Sequence, residues 1–210
     1  MPLKPLLEIK TKMFNQQTQN TIKENYNHGL LPQRNNKDYW YSDSSSRSNL
    51  SKFNLSSENR RIISKTNHYK YQVIPLSQFK YSLFIQKTIF KWIKEIGWNF
   101  PISSVKTIFT NHIFNYVYVW QDLDGNVVAY SICYFSKNIS HIAYVFYNPK
   151  LSHNNLPIRL TLQTIIDSHD KNLNYCYLGR FNPKTKLGYY KRELPGFEYY
   201  KNNNWIKYTL

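Results

Sequence analysis

The stretch from residue 114 to residue 181 constrains the fold most, because its hydrophobic pattern changes period twice. Two runs rich in aromatic and β-branched residues flank Asp122-Leu123-Asp124-Gly125, a turn signal typical of a β-hairpin. A third such run follows, then apolar residues at helical spacing, then one more extended run. The predicted elements are strands over 114–120, 127–135 and 141–148, a helix over 157–169 and a strand over 174–181.

Upstream of this stretch the pattern predicts one strand and two helices. Residues 69–75 read as a strand, residues 77–96 as a long amphipathic helix, and residues 101–112 as a shorter helix. After residue 181 the chain predicts a loop, a short helix and a hairpin. The order from residue 69 is therefore β, α, α, β, β, β, α, β, α, β.

This order predicts an α/β (α+β) fold of the acyl-CoA N-acyltransferase type, or GNAT-like fold, in which a meander precedes a β-α-β crossover. The sheet is mixed and mostly antiparallel, with helices on both faces. In that fold the strands before and after the central helix, here 141–148 and 174–181, splay apart. We expect the substrate to enter the gap between them.

The chain divides into an N-terminal extension over residues 1–68 and a transferase domain over residues 69–210. A loop as long as the one predicted in the extension is functional or disordered in most compact domains. Its aromatic cluster, Tyr39-Trp40-Tyr41, indicates an ordered loop. The extension is expected to hold a polar start at 1–25, a short helix over 22–31, a long loop over 32–50, and a basic helix capped by Ser56 or Ser57 and running to Lys65.

The net charge of +16 and the pI near 9.7 indicate the kind of partner rather than the fold. Nucleic acid is the leading partner class, because cations that neutralise phosphates release counterions. An anionic membrane surface is the second. Residues 1–75 hold 12 Lys and Arg against 5 Asp and Glu, and residues 171–210 hold 8 against 2, whereas residues 121–170 hold 3 against 4. The two ends therefore resemble binding surfaces and the middle resembles scaffold.

The two cysteines, Cys133 and Cys176, each lie in an apolar run, which favours buried free thiols over a secreted disulfide framework. The sequence has no uninterrupted apolar stretch of 18 residues and no signal-peptide pattern. We expect a cytoplasmic, monomeric protein without a membrane partner.

The segment from residue 184 to residue 192 interleaves cations with tyrosines, a mixture that suits an RNA backbone and its exposed bases. The alternative is a solvated surface whose aromatic rings turn into the core. A second basic group lies on the helix predicted before residue 65, where Arg61 and Lys65 share one face. The candidate binding residues are Lys184, Lys186, Tyr189, Tyr190, Lys191 and Arg192 in the first group, and Arg60, Arg61 and Lys65 in the second.

Two parts of the chain resemble the arginyl-tRNA–protein transferase family, which includes bacterial leucyl-transferring relatives. Residues 177–180 (YLGR) match the family's Tyr-x-Leu-Gly-Tyr run, and residues 186–198 (KLGYYKRELPGFE) match its Lys-Met-x-Tyr-Lys-Ala-x-Phe/Tyr-x-Pro-x-Glu segment. Trp205 matches its Gly-x-Trp. The resemblance covers most of the chain, and the C-terminal segment is its most specific part. Segments in the matching order near the N-terminus are 29–34 (GLLPQR), 41–47 (YSDSSSR) and 56–61 (SSENRR).

The resemblance implies an aminoacyltransferase that moves arginine or leucine from charged tRNA to the N-terminal amine of a protein, in particular one with an acidic N-terminus. The partners implied are aminoacyl-tRNA and the acceptor protein or peptide, with no cofactor besides. Because the ester of the donor is already activated, positioning and oxyanion stabilisation can supply most of the catalysis.

The resemblance also implies site residues. Tyr177 and Arg180 stand where donor and acceptor should meet, and His141 is a candidate proton carrier at the start of a strand. Tyr41 and Arg47 would line the pocket. The first basic group would hold the tRNA acceptor end, with Tyr189 or Tyr190 stacking on the terminal adenosine, and the second would contact phosphates or an acidic acceptor.

The chain departs from the family in one feature. Serines at 44–46 stand where the family has cysteines, so no metal, haem or iron–sulfur site is predicted. It departs from acetyl-CoA enzymes in another, since the turn at 151–157 (LSHNNLP) has no glycine and Pro157 lacks a backbone donor for a pyrophosphate. Three alternatives stay open: a tRNA-dependent aminoacyltransferase with a non-protein acceptor, an acyl-CoA N-acyltransferase, and a non-catalytic RNA-binding protein on the same scaffold.

Overall fold

The computed structural model describes residues 19–208, which form one eight-stranded sheet, a small two-stranded sheet and helices on both faces. The strands in chain order are β1 (Leu30–Gln33), β2 (Asn36–Ser42), β3 (Ser45–Asn49), β4 (Lys70–Pro75), β5 (Tyr116–Gln121), β6 (Val127–Phe135), β7 (Ile139–Tyr147), β8 (Tyr175–Arg180), β9 (Phe197–Lys201) and β10 (Asn204–Lys207). The helices are α1 (residues 19–27), α2 (Ser57–Lys65), α3 (Leu83–Ile96), α4 (Ile102–Thr110) and α5 (Leu156–Asp170). Short 3₁₀ helices cover Leu50–Lys52, Pro149–Asn154 and Tyr189–Glu193.

The strands of the large sheet lie in the order β10-β9-β3-β8-β7-β6-β5-β4. Strands β4 to β7 form an antiparallel meander, and β7 and β8, which α5 joins, pair in parallel. The other described neighbours in this sheet pair antiparallel. The predicted mixed, mostly antiparallel sheet flanked by helices is confirmed.

The parallel ladder between β7 and β8 is short. It joins Ile139 to Tyr175, Ser140 to Cys176 and His141 to Tyr177, and then stops. Strand β7 continues to Tyr147 and β8 to Arg180, so the two strands diverge beyond the third pair. The expected splayed gap is therefore present.

Two hydrophobic clusters lie on opposite faces of the sheet. One receives Tyr26 from α1 and Ile93 from α3, and the other receives Leu160 from α5. Both cysteines are buried free thiols, as the sequence predicted, and burial raises the pKa of Cys176 to about 11. That thiol therefore stays protonated and packs as a small apolar group.

The long loop predicted over 32–50 is wrong. Residues 30–42 form the β1–β2 hairpin, and β3 follows it as an inner strand between β8 and β9, antiparallel to both. The Ser-Ser-Arg-Ser-Asn sequence of β3 has a low strand propensity, but Ser46 and Ser48 are fully buried and hydrogen-bonded to neighbouring carbonyls. Pairing on both edges overrides the local preference.

Other boundaries shift by local capping. The helix predicted to begin at residue 77 begins at Leu83, because the Ser82 side chain accepts a hydrogen bond from the Ile85 amide at 3.3 Å. Ser56 caps α2 in the same way, with Asn59 completing a capping box. The predicted C-terminal short helix and hairpin are confirmed as the 3₁₀ helix at Tyr189–Glu193 and the β9–β10 pair.

A buried ion pair holds β3 against β9. Arg47 donates to Glu198 from Nη2 at 2.8 Å and from Nε at 2.9 Å, and both side chains are less than a tenth exposed. The second carboxylate oxygen accepts from Asn49 and Lys52, each at 3.0 Å. Burial alone would raise the pKa of Glu198, but these three donors outweigh it and lower the pKa below its ordinary value.

We predict that Glu198→Gln lowers the free energy of unfolding by about 3 kcal/mol, because it leaves the Arg47 guanidinium buried without a counter-charge. The measurement is chemical denaturation at neutral pH. The contribution of Glu198 is present above its unfolded pKa of about 4.3 and is lost as the pH falls through its lower folded pKa, so the variant should lose this acid sensitivity.

The matched control is Glu58→Gln, which removes the exposed ion pair between Glu58 and Arg61 on α2. Exposed pairs contribute little, so this variant should unfold close to the wild type. Equal effects of the two substitutions would show that Glu198 does not stabilise the sheet as argued.

Candidate active site

The gap between β7 and β8 holds a cavity of about 320 Å³. Its walls are the two diverging strands, the β1–β2 hairpin, α5 and the turn that follows β8. The cavity is open on part of its surface, and its lining mixes aromatic and aliphatic side chains with two cations. The lining residues are Leu31, Pro32, Tyr41, Trp98, Phe114, His141, Ile142, Ala143, Tyr144, Val145, Thr161, Leu178, Gly179, Arg180, Leu187, Gly188, Tyr190 and Lys191.

The lining of the cavity includes residues of both hydrophobic clusters. Leu31 and Phe114 belong to the hydrophobic cluster under α1, α3 and α4. Leu178 and Tyr190 belong to the cluster under α5, on the opposite face.

Lys191 reaches into the cavity from the 3₁₀ helix after β8. Its Nζ donates to the backbone oxygen of Leu178 at 2.5 Å and to that of Arg180 at 2.8 Å. Burial lowers the pKa of Lys191 to about 7, and the nearby charge of Arg180 adds to the effect. A neutral amine has two N–H donors, so at and above pH 7 both are held by carbonyls and the lone pair can accept a proton.

His141 lies at the last rung of the parallel ladder, and its ring faces the same cavity. The Nδ1 atom is 2.7 Å from the Tyr26 hydroxyl, while Nε2 is buried without a partner in the described structure. Burial lowers the pKa of His141 to about 3, with a smaller contribution from Lys191, so the ring is neutral at physiological pH. A Cβ on Gly179 would stand 3.8 Å from His141 Nε2 and 3.9 Å from Lys191 Nζ, so the two nitrogens flank one point.

A β-bulge changes the direction of β7 beside this point. Ile132 pairs with Tyr144 and Cys133 pairs with Ile142, which leaves Ala143 as the extra residue on β7. Such bulges break the ladder at one residue and bend the strand, and they occur near active sites. Ala143 lines the cavity, so its backbone amide is a candidate donor to a bound oxygen.

The rim of the cavity is cationic. Arg180 is 54% exposed in its side chain and pairs through Nε with Asp43 at 2.5 Å. Lys184 and Lys186 lie exposed on the turn that contributes Leu187 to the lining. None of the described lining residues is acidic. The site therefore suits an anionic or neutral ligand.

The structure brings together only part of the predicted site. Tyr41, His141, Arg180, Tyr190 and Lys191 line the cavity. Lys184, Lys186, Tyr189 and Arg192 lie on the same connection after β8 but do not line the cavity. The Arg192 guanidinium lies 3.5 Å from the centre of the Tyr189 ring.

Two predicted residues lie outside the cavity. Tyr177 is fully buried, stacks on Tyr26 at 4.6 Å between ring centres, and donates to Asn27 at 3.1 Å. The Arg47 side chain is taken by Glu198 and by the rings of Tyr175 and Trp205, so the expectation that it lines the pocket is wrong.

The second basic group is separate from the cavity. Arg60 donates to the Leu55 carbonyl, and Arg61 pairs with Glu58. Lys65 is exposed at the end of α2. Helix α2 packs against α5 on the outside of the sheet, and none of its residues lines the cavity. Its predicted contact with phosphate stays a prediction.

Sequence reasoning missed the residues that come from distant parts of the chain. Tyr26 orients His141 from α1, and Thr161 borders the cavity from α5. Neither belongs to a motif. The lowered pKa of Lys191 was missed too, because burial of one lysine among four cations cannot be read from their spacing.

The turn before α5 has two features that bear on pyrophosphate binding. Asn155 caps the helix with φ 61° and makes no side-chain capping bond, and Pro157 occupies the second helical position. The first turn therefore lacks one backbone donor. Within residues 19–208 no group of three or more metal-binding side chains is found, and no helix is long and apolar enough to cross a membrane.

No protein-family model matches the chain, and no curated protein matches it. Among solved structures it is similar to L-PGS from Bacillus licheniformis, with 14% identity, a TM-score of 0.45 and coverage of 67% of this chain and 46% of that one. It is also similar to the GCN5-related glucosamine N-acetyltransferase region of a fungal multi-domain GH3 β-N-acetylglucosaminidase, with 12% identity, a TM-score of 0.49 and coverage of 75% and 19%. An aminoglycoside acetyltransferase from an uncultured soil metagenomic sample gives 16% identity, a TM-score of 0.44 and coverage of 69% and 97%.

The fold is GNAT-like. This statement rests on the meander, the β7-α5-β8 crossover and the gap that opens after the third parallel pair. The chain spans less than half the length of the first two of these similar proteins.

We predict that the Lys191 side chain titrates near pH 7, because its ammonium form is desolvated in the cavity. The measurement is a pH titration of the lysine ¹³Cε signals by NMR, with Lys191→Arg to assign the signal. Lys184→Arg is the matched control, since it removes an exposed lysine of the same connection. If the signal that is lost in Lys191→Arg is one that titrates only above pH 10 in the wild type, the prediction is wrong.

Proposed function

We propose that this protein is a tRNA-dependent aminoacyltransferase that passes the amino acid of a charged tRNA to an amine in the gap between β7 and β8. The observation that carries the proposal is that two nitrogens lie close to one point of that gap, beside Gly179. They are Nζ of Lys191, whose pKa is lowered, and Nε2 of His141, which has no hydrogen-bond partner in the described structure. The acceptor favoured is the N-terminal α-amine of a protein or peptide.

The reaction forms one bond and breaks one. The amine nitrogen attacks the ester carbonyl carbon, a C–N bond forms, and the C–O bond to the terminal ribose breaks. The amine loses a proton and the leaving ribose oxygen gains one. The enzyme must therefore accept a proton on the acceptor side, return one on the donor side, and stabilise the oxyanion between these steps.

Lys191 suits the proton transfers. A base is most effective when its pKa lies near the working pH, and the pKa of Lys191 is about 7. The carbonyls of Leu178 and Arg180 fix the nitrogen in place, so the lone pair is oriented without further ordering. The protonated Lys191 side chain can then give this proton to the leaving ribose oxygen.

His141 and the β7 bulge suit the oxyanion. With the Tyr26 hydroxyl as the donor to Nδ1, the single proton of the neutral imidazole lies on Nε2, the buried nitrogen beside Gly179 in the cavity wall. The backbone amide of Ala143 lies on the same strand at the bulge. Two such donors, fixed in position before the reaction, would stabilise the developing charge.

Charge and the turn before α5 favour charged tRNA as the donor. The net charge of +16 and the exposed Lys184 and Lys186 beside the cavity suit the acceptor end of a tRNA. Tyr189 is half exposed, and the Arg192 guanidinium stacks on its ring. The stacked pair presents flat surfaces on which an unpaired base could stack. Pro157 weakens the helix terminus that would hold a pyrophosphate.

The rim of the cavity favours an acceptor that carries a carboxylate. Arg180 stands at the mouth of the cavity, and its one ion-pair partner among the described residues, Asp43, lies outside the lining. A carboxylate on the acceptor can compete for this guanidinium, which favours a peptide that begins with Asp or Glu.

A second candidate is an acyl-CoA N-acyltransferase, which the GNAT-like strand order and the gap between β7 and β8 favour. It uses the same acceptor chemistry and the same Lys191. The two candidates differ in the donor alone, so one assay separates them.

We predict transfer of radiolabelled amino acid from charged tRNA to a peptide with an N-terminal Asp or Glu, and loss of the transfer after RNase treatment. The assay is run in parallel with acetyl-CoA and with a small non-protein amine. Transfer from acetyl-CoA but from no charged tRNA would replace the proposal by the second candidate. Salt-sensitive tRNA binding without any transfer would leave a non-catalytic RNA-binding protein.

We predict that Lys191→Met lowers the kcat of the transfer about a hundredfold or more, because it removes the proton acceptor. In the wild type the rate should rise with pH through about 7, as Lys191 becomes neutral. The rate of the variant should rise only at about pH 7.7–8.0, where the α-amine of the acceptor loses its proton. Lys184→Met should instead raise the KM for charged tRNA and keep the rise near pH 7. A variant rate that still rises through pH 7 would exclude Lys191 as the base.

A further inference from the structure

The outer face of α3 carries a straight row of exposed side chains. Phe84, Lys87, Lys91 and Lys94 are spaced three, four and three residues apart, so they lie on one side of the helix. The opposite side is buried in the core through Gln86, Ile89, Trp92 and Ile93.

The first turn of α3 exposes an apolar patch. Leu83 is 72% exposed and Phe84 is 78% exposed. Ile102, 40% exposed, begins α4 close to this end of α3, since its carbonyl accepts a hydrogen bond from the Gln86 side chain at 2.9 Å. Large apolar side chains exposed to this degree and grouped together indicate a contact surface.

The surroundings of the patch are basic. Lys80 precedes it, Lys106 is exposed on α4, and Lys87, Lys91 and Lys94 continue along the row. The single acid of α3, Glu95, lies 3.9 Å from Lys91. The face therefore combines apolar side chains that can be buried with a clear excess of positive charge.

We propose that this face of α3 binds the surface of an anionic lipid bilayer. Leu83, Phe84 and Ile102 would enter the boundary between headgroups and acyl chains, and the lysines would contact the lipid phosphates. RNA is the less suitable occupant, because the aliphatic side chains of Leu83 and Ile102 cannot stack on a base. Peripheral binding needs no membrane-spanning helix, and it departs from the expectation, drawn from the sequence, of no membrane partner.

The position of this face relates it to the cavity. Helix α3 ends at Ile96, and Trp98, two residues later, lines the cavity. The apolar patch lies at the other end of the helix, about 20 Å away at 1.5 Å per residue. A chain bound through α3 would hold the cavity near the lipid surface. The binding itself does not depend on the proposed transferase activity.

The experiment is co-sedimentation of the full chain with vesicles of phosphatidylglycerol and phosphatidylcholine, and with vesicles of phosphatidylcholine alone. We expect binding to the anionic vesicles only, weakened by high salt. Leu83→Ser with Phe84→Ser should weaken binding about tenfold or more, since both side chains leave water on binding. Lys87→Gln with Lys91→Gln should weaken it and reduce its salt dependence.

The matched controls are on distant surfaces. Leu123→Ser removes an equally exposed leucine from the β5–β6 turn, and Lys70→Gln with Lys207→Gln removes two charges from β4 and β10. These variants should bind vesicles like the wild type. Because Leu83 and Phe84 lie at the surface, circular dichroism and melting should show their variant to be folded.

Two results would overturn the proposal. One is the absence of binding to anionic vesicles, or binding that Leu83→Ser with Phe84→Ser leaves unchanged. The other is that the lysine variants weaken tRNA binding while no variant affects vesicles, which would assign the row to RNA. Transfer activity is measured separately, so a failed transferase assay leaves the vesicle result interpretable.

Discussion

The structure depends on a parallel ladder that is only three residue pairs long. Strands β7 and β8 are joined through residues 139–141 and 175–177 and then separate. Backbone groups beyond this point cannot pair with each other across the gap, so the chain satisfies some of them in other ways. The Lys191 Nζ atom donates to the carbonyls of Leu178 and Arg180, which lie on the diverging end of β8. The same divergence that opens the cavity therefore also places a lysine with a lowered pKa inside it.

The divergence is maintained from the outside by β3. This strand occupies the free edge of β8 and pairs with β9 on its other side, so β8 cannot move back toward β7 without disturbing two further ladders. The buried pair of Arg47 and Glu198 links β3 and β9 at the centre of this arrangement. An arginine that resembled a pocket residue in the sequence is thus a structural residue. Its counter-charge lies 151 positions further along the chain.

Positive charge has different effects in the cavity and on the outer face of α3. At the cavity, positive charge and burial act together on Lys191, and they favour its neutral form. On α3 the lysines are exposed and retain strong hydration, so their effect is long-range attraction toward an anionic surface. The composition alone indicated anionic partners. It did not separate the groups that act chemically from those that attract a partner.

The sequence by itself determined the meander, the crossover helix, the C-terminal hairpin and the GNAT-like order, because hydrophobic periodicity and turn residues are local signals. It also placed Arg180 at the gap, together with Tyr177, which is instead buried outside the cavity. Only the tertiary structure decided that 45–49 is an inner strand, that Arg47 is buried in an ion pair, and that Tyr26 orients His141. These features arise from contacts between residues more than a hundred positions apart. Burial, which sets the pKa of Lys191 and the strand state of a serine-rich segment, is a property of the assembled fold and not of any local pattern.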